Sequence, residues 1–334
     1  MSFIITAYNE EHSIAEKINN TLQVEYPTDR LEILIASDGS TDQTNEIVES
    51  FKEEIVRLID VKDRKGKENA QFRAIQKAKG DILVFSDVST QIEPSALKQI
   101  ARDFTNPKVG AVSSEDRFIT ADGKIAGEGA YVKYEMWLRK LESSACSLVG
   151  LSGSFFACRA EIGQDWNIHI PSDFNTAINS YKNNYIAITD PELVGYYPNI
   201  KDETKEFQRK VRTVLRGMAA LFHDTTLLNP FKYGFFAFEL ISHKLMRWLV
   251  PWFMLSTLVL NLILIGEHPI YPVILLAQIV FYAMALSGHF SSTLRNNKVI
   301  KLAYFFMQVN LAIARAMIMF ITGQRITRWE PSKR

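Results

Sequence analysis

The stretch Leu31-Glu32-Ile33-Leu34-Ile35-Ala36-Ser37-Asp38-Gly39-Ser40-Thr41-Asp42 decides the fold. An apolar, β-prone run ends abruptly in a polar turn carrying an acid and a glycine, and Thr41–Phe51 then reads as a helix. The arrangement recurs. Ser2–Thr6 runs into Ala7-Tyr8-Asn9-Glu10 and a helix over Glu11–Thr21, and Ile82–Phe85 runs into Ser86-Asp87-Val88-Ser89. Short strands that end in polar turns and alternate with helices predict an α/β domain, a mostly parallel sheet with helices on both faces. Ligands of such sheets bind in the crevice outside the carboxyl ends of the strands. The chain therefore places polar and acidic groups where a nucleotide would lie.

The pattern continues with a strand over Ile55–Ile59, a helix over Asn69–Ala78 that stops before Gly80, a helix over 95–104 and a strand over Val109–Ser113. From about 115 it loosens. Ala130–Glu142 reads as a helix with Tyr131, Tyr134 and Trp137 near one another. Leu151–Cys158 is small and apolar around Gly153, Thr176–Asn183 reads as helical, and Lys205–Phe222 as a long basic helix. A further motif, Pro171-Ser172-Asp173-Phe174, precedes the second of these helices.

The 334 residues carry a formal net charge of +1, which gives no reason to expect a nucleic-acid partner. Two cysteines, Cys146 and Cys158, suggest neither a disulfide framework nor a zinc site. Ser2-Phe3-Ile4-Ile5-Thr6 reads as a core strand with no basic segment before it, so no signal peptide is expected and the first two thirds are predicted to stay cytoplasmic.

The near-neutral mean hydropathy averages a charged first part with an apolar end. Phe231–Trp248 puts Phe231, Phe235, Phe238, Ile241, Leu245 and Trp248 on one face and Lys232, Glu239, His243 and Arg247 on the other. That pattern predicts an interfacial helix. Leu249–Ile265 and Pro269–Leu286 carry no charge and approach the ~20 residues a bilayer core requires. Leu302–Thr322 is apolar too, but Lys301, Gln308, Arg315 and Thr322 form a polar stripe on it. The loop Arg295–Lys301 and the tail Arg325, Arg328, Lys333 and Arg334 are basic, and both favour the cytoplasm. The division expected is a soluble domain over 1–228, an interfacial helix over 229–248 and a multi-pass membrane region over 249–334. Its spans lie at about 249–266 and 269–288, and a third helix over 302–322 lies at the interface or crosses.

The motifs, taken in order, resemble the inverting family-2 glycosyltransferases of the GT-A fold. The likeness is to the membrane-integrated branch with the cellulose, hyaluronan, chitin and poly-N-acetylglucosamine synthases. A GxGxxG turn after the first strand, the mark of a dinucleotide-dependent dehydrogenase, is replaced by Tyr8-Asn9-Glu10-Glu11. The resemblance assigns Tyr8, Glu10 and Asp38 to the base and ribose of a nucleotide sugar, usually UDP-linked. The family often has an acid where Ser37 stands. Asp38 also suits a turn or a helix N-cap. Arg64, Lys65 and Lys67 surround Gly66 and could neutralise a diphosphate or simply be solvated, and the family's glycine-lysine segment singles out Lys67. Asp87 matches the first acid of the DxD motif, which holds Mg²⁺ or Mn²⁺ on the diphosphate, whereas Ser89 replaces the second. Asp173 matches the general base, and it also suits an N-cap. Ser152 and Gly153 match the segment lining the acceptor site. Trp137 and Tyr134 suit sugar stacking or a core position.

Gln208 and Arg212 stand near the place of the processive enzymes' QxxRW motif, with Thr213 in place of the tryptophan and one extra residue of spacing. Lys205, Arg209, Arg212 and Arg216 could instead face anionic headgroups. The resemblance implies sugar transfer from a nucleotide-sugar donor to a polysaccharide or lipid-linked glycan acceptor, on a membrane. The other reading is a non-catalytic nucleotide-sensing or scaffold subunit of a secretion complex. The family's N-terminal span is not seen before the first strand, so a truncated start or a partner subunit is implied.

Overall fold

The computed structural model describes residues 1–119, 130–198 and 203–324. The basic tail residues Arg325, Arg328, Lys333 and Arg334, and the Tyr131 side chain, lie outside the described part. β1 (Ser2–Ala7), α1 (Ile14–Leu22), β2 (Glu32–Asp38), α2 (Thr44–Glu49), β3 (Val56–Val61), α3 (Lys67–Ile75) and β4 (Ile82–Asp87) alternate as the sequence predicts. β5 (Gln91–Ile92), α4 (Ala96–Asp103), β6 (Val109–Ile119), α5 (Ala130–Ala145), β7 (Phe155–Arg159), α6 (Ser172–Lys182) and β8 (Ile186–Pro198) follow. The helices of the C-terminal part are α7 (Glu203–His223), α8 (Pro230–Leu240), α9 (Met246–Ile263), α10 (Ile270–Phe290) and α11 (Lys298–Ile321).

The eight strands form one sheet in the order β3-β2-β1-β4-β7-β6-β8-β5. β1 to β4 pair parallel with one another, as do β6 and β8. β7 runs antiparallel to both β4 and β6, and β5 is antiparallel to β8. Alternate side chains of each central strand enter opposite layers, because successive Cβ atoms point to opposite faces. Phe3, Ile5, Ile33 and Ile35 join one core with Ile14 and Ile18 of α1. Ile4, Leu34, Leu83 and Phe85 join the other with Phe156 and Trp166. There Phe85 stacks on both aromatic partners, with ring centroids 4.8 and 5.0 Å away. Burial on both faces explains why these strands read as continuous apolar runs.

The sequence pattern thins where the sheet becomes mixed. β6 runs on through Glu115, Asp116 and Arg117 to Ile119, with a register irregularity after Ser113. β8 carries Asp190, Pro191 and Glu192 in its middle, which hides a 13-residue strand from a search for apolar alternation. α6 begins at Ser172, four residues before the start read from the sequence, with Pro171 as its N-cap residue.

The chain divides into two compact units. Among described residues, the first holds residues 1–198 and Pro230–Phe236, and the second holds residues 203–229 and 237–324. In the first, Phe236 is fully buried and stacks on Tyr181 at 4.2 Å, and the Tyr181 hydroxyl donates to the Tyr233 carbonyl at 3.2 Å. Gly234, at φ 54°, breaks the helical path between those two residues. Phe231 of the same segment is 99% exposed.

In the second unit, Val211 and Leu215 of α7 pack on Ala312 and Ala316 of α11. Asn261 of α9 donates to Gln278 of α10 at 2.8 Å, and Gln278 donates to the Thr257 hydroxyl at 3.0 Å. Among the described residues three helical stretches are long and apolar enough to cross a membrane: Pro230–Ile263, Ile270–Phe290 and Lys298–Ile321. The first is interrupted by the Gly234 kink and a π-helical turn over Ile241–Leu245. Leu255, Leu262 and Ile263 of α9, Val273 and Leu276 of α10 and Ile321 of α11 expose half or more of their surface.

Candidate active site

The turns after β1 and β2 are laced together by short side chains. Asn9 adopts a left-handed conformation at φ 52°, which asparagine tolerates better than most residues. Its amide receives the Thr41 N–H at 2.8 Å, and its own N–H donates to the Ser40 hydroxyl at 3.1 Å. The Glu10 N–H donates to the Thr44 hydroxyl at 2.8 Å. Gly39, at φ 69°, lies so close to the next loop that a Cβ there would stand 3.2 Å from the Arg64 nitrogen.

Asp38 ends β2 almost fully buried, and both carboxylate oxygens are occupied. They accept the N–H groups of Lys65 at 3.1 Å and Gly66 at 2.8 Å. Burial pushes its carboxyl above the ordinary range, and those two N–H groups and Arg64 oppose the shift. Asp38 therefore braces the basic loop, where Gly66 at φ 102° leads into α3. The Arg64 guanidinium lies 3.7 Å from the centre of the Tyr8 ring, so a cation already covers one face of that ring.

Lys67, in the first turn of α3 and almost buried, reaches across the sheet. Its ammonium pairs with the Asp87 carboxylate at the end of β4 and donates to the Gly153 carbonyl at 2.8 Å. The Asp87 N–H donates to the Ser154 carbonyl at 2.9 Å. Gly153 in turn lies beneath Asp173, such that a Cβ on Gly153 would stand 3.3 Å from Asp173 Oδ2. The Leu151 N–H donates to the Asp173 carbonyl at 3.4 Å. Lys67, Asp87, Gly153 and Asp173 thus form one continuous row. Asp173 sits in the first turn of α6, and no side chain caps that helix.

Next to this row, the Ser152 hydroxyl donates to Asp116 of β6 and lies 3.2 Å from the Ser154 hydroxyl, while its N–H donates to the Ser113 hydroxyl at 2.7 Å. Burial, and then the Asp116 carboxylate, hold the Tyr197 phenol well above its ordinary range. Gln208 and Arg212 lie on α7 in the second unit, Gln208 exposed and Arg212 half-buried. Trp137 and Tyr134 are more than half exposed on α5 and not in the core.

Two features escaped the sequence reading. Asp116 stands outside every motif, and only the sheet pairing brings it to Ser152. Lys17 carried a signal that could have found it. Ile14, Lys17, Ile18 and Thr21 share one helical stripe, and all four are fully buried. Burial pushes the Lys17 amine down to about 7, and the Asp87 carboxylate partly offsets the shift.

Among the described residues no three His, Cys, Asp or Glu side chains come together to hold a metal ion. Asp87 offers one carboxylate, with the Ser89 hydroxyl two residues on. Such a sparse hard-oxygen set fits a divalent cation that arrives with diphosphate oxygens, not one caged by protein alone.

The match to known families falls on this architecture. Residues 2–162 match the model of glycosyl transferase family 2. They form a glycosyl transferase family 2 domain. Over 160 residues the chain is 31% identical to the poly-β-1,6-N-acetyl-D-glucosamine synthase of Staphylococcus epidermidis, covering 46% of this chain and 38% of that protein. Synthases of the same description from Staphylococcus aureus are 28% identical over the same length. The chain thus spans 38% of the length of these relatives. Among solved structures it superposes on the mannosyltransferase PcManGT of Pyrobaculum calidifontis, in complex with GDP-Man and Mn²⁺. The TM-score is 0.73 at 21% identity, with 97% of this chain and 87% of the other covered. Residues 1–349 of S. aureus TarS, in complex with UDP-GlcNAc, give a TM-score of 0.52 at 15% identity, covering 97% and 92%. These likenesses show a GT-A fold: a mixed, mostly parallel sheet domain, followed by long apolar helices.

Proposed function

We propose that this chain is a membrane-anchored inverting glycosyltransferase that moves a sugar from a nucleotide-sugar donor to a polysaccharide or lipid-linked glycan acceptor. The row Lys67–Asp87–Gly153–Asp173 carries the reading, because it sets a cation and an acid beside a second carboxylate across a narrow glycine. Tyr8, Glu10 and Asp38, at the ends of β1 and β2, receive the nucleoside, with Arg64 beside it. Lys67 turns its ammonium to the diphosphate. Asp87 and Ser89 hold Mg²⁺ or Mn²⁺, which when bound offsets the charge that develops on the leaving nucleoside diphosphate.

Asp173 accepts the proton of the acceptor hydroxyl as that oxygen attacks the anomeric carbon from the face opposite the leaving group. Ser152 and Gly153 line the acceptor's approach, and the missing side chain lets a sugar lie against the backbone. Long apolar helices with outward apolar side chains fit a bilayer better than water, which favours membrane anchoring through α9, α10 and α11. The exposed Phe231 suits an interfacial position, with the sheet domain on the cytoplasmic side.

The test is nucleoside diphosphate release by detergent-purified protein, screened over UDP- and GDP-sugars with Mg²⁺ or Mn²⁺. Metal-dependent release from one donor, lost on Asp173→Asn, is the result expected. Nucleotide binding without turnover of any donor, with glycan acceptors present, would make the chain a sensing or scaffold subunit instead.

A further inference from the structure

Lys17 is the most deeply buried charged side chain near the row just described, and the proposed reaction gives it no part. It lies on the inner face of α1, fully shielded from water, with its amine 5.5 Å from the centre of the Phe3 ring. Its amine donates to the Thr90 carbonyl at 2.5 Å. Three residues on, Asn20 grips the next part of the same segment from both sides. Its amide donates to the Ile92 carbonyl and accepts the Ile92 N–H, each at 3.0 Å. The segment held in this way closes the turn that carries Asp87 and Ser89. Within that turn, the Thr90 N–H donates to the Asp87 carbonyl at 3.2 Å. The Thr90 hydroxyl donates to the Ser154 carbonyl at 3.4 Å, next to Gly153.

An amine is a costly choice for this place. A buried polar group is tolerated only when its hydrogen bonds are met, and this amine has three N–H groups for one acceptor. An unbranched apolar side chain such as methionine would fill the same space without that penalty. Asn20 already ties the segment to α1, so the amine is not needed to attach it. What the amine adds is a fixed grip on one carbonyl of the turn that carries Asp87 and Ser89.

We propose that Lys17 is a positioning residue for the donor diphosphate, holding the Asp87–Thr90 turn from inside the core. The inference rests on the donor-site reading given above. It predicts a split that a purely structural lysine does not give: Lys17→Met keeps or raises the thermal midpoint while it weakens nucleotide binding.

Titration calorimetry of UDP and GDP, with Mn²⁺ present, on the detergent-solubilised full chain tests this. Lys17→Met is expected to weaken binding on the order of 10-fold, with little further loss when Asp87→Asn is already present, because both changes act on one turn. Lys17→Gln keeps a hydrogen-bond donor on a shorter stem and is expected to fall between Lys17→Met and the wild type, which keeps the idea testable if the methionine variant misfolds. Asn20→Ala, an uncharged tie, is expected to lower the thermal midpoint with a smaller loss of affinity. Wild-type affinity in Lys17→Met, or a loss that adds in full to that of Asp87→Asn, overturns the positioning role alone. A wild-type protein that binds neither nucleotide overturns the donor-site reading, and the positioning role falls with it.

Discussion

The parallel half of the sheet domain, β1 to β4, and its mixed half, β6 to β8, build the candidate site by opposite means. In the parallel half each polar group stands at the carboxyl end of its own strand: Tyr8 after β1, Asp38 on β2, Asp87 on β4. In the mixed half the site-facing residues come before a strand. β7 enters antiparallel between β4 and β6, with Phe155 beside Ser86 at the carboxyl end of β4. Ser152, Gly153 and Ser154 therefore reach the rim from the start of β7. The rule that ligands gather at strand carboxyl ends finds the first group directly and the second only when the direction of β7 is known. The two halves should fail differently when altered: the parallel half by losing nucleotide, the mixed half by losing transfer with nucleotide still bound.

The largest effect is expected at Asp173. Asp173→Asn should cut transfer by roughly 10²–10⁴-fold, the usual contribution of a positioned base, while UDP or GDP affinity stays within about twofold. Loss of nucleotide affinity as well would merge the two halves into one functional unit. Asp87→Asn is the counterpart in the parallel half. It removes the partner of the Lys67 ammonium and the acid proposed to hold the cation. Transfer should fall on the order of 10²-fold, with weaker Mn²⁺-dependent nucleotide binding measured by calorimetry.

Gly153→Ala sharpens the contrast on a finer scale. The new methyl would stand 3.3 Å from Asp173 Oδ2, tight enough that the carboxylate must give by a few tenths of an ångström. A loss in kcat on the order of 10-fold is expected, with unchanged nucleotide affinity and thermal midpoint. Unchanged kcat would mean that Asp173 has slack and that its position over Gly153 does not matter.

What the sequence showed follows the same division. The runs Ser2–Thr6, Leu31–Ala36 and Ile82–Phe85 are buried on both faces, so their composition alone marks them as strands, and the polar residue after each marks the rim. Glu115, Asp116 and Arg117 in β6 keep their pairing with β8 while their side chains carry charge, and Asp190, Pro191 and Glu192 fall in the register irregularity of β8 between Thr189 and Val194. No local pattern announces them, and Asp116 became visible only through its bond with Ser152. Asp173 was legible through its motif. Its place in the first turn of α6 came from Pro171, because the helix starts right after that proline, four residues earlier than the apolar pattern suggests. Lys17 was legible in principle, as a lysine on the apolar stripe of α1, and the assumption that lysines face water hid it.

The smallest effect expected lies at the far edge of the mixed half. Arg102 of α4 donates to Asp190 at 2.9 Å and to Glu192 at 2.7 Å, and Asp103 is packed beside Asp190 with little exposure. Burial, and then the Asp190 carboxylate, push the Asp103 carboxyl up to about 7. The sign follows from proton linkage. Between about pH 4 and 7 the folded chain keeps a proton that the unfolded chain has released, so folding gains most below pH 4 and the gain is lost as pH rises through 7. Asp103→Asn removes this dependence, because an amide stays neutral beside Asp190 at every pH. The difference in thermal midpoint between variant and wild type should therefore grow in the variant's favour from pH 4 to 7, by a few degrees, and then level off. The shift should leave kcat and nucleotide affinity unchanged, because the cluster stabilises the β8 edge and takes no part in the row from Lys67 to Asp173. A pH-independent difference would mean that Asp103 is ionised throughout and that Arg102, at 3.8 Å, outweighs the neighbouring carboxylate.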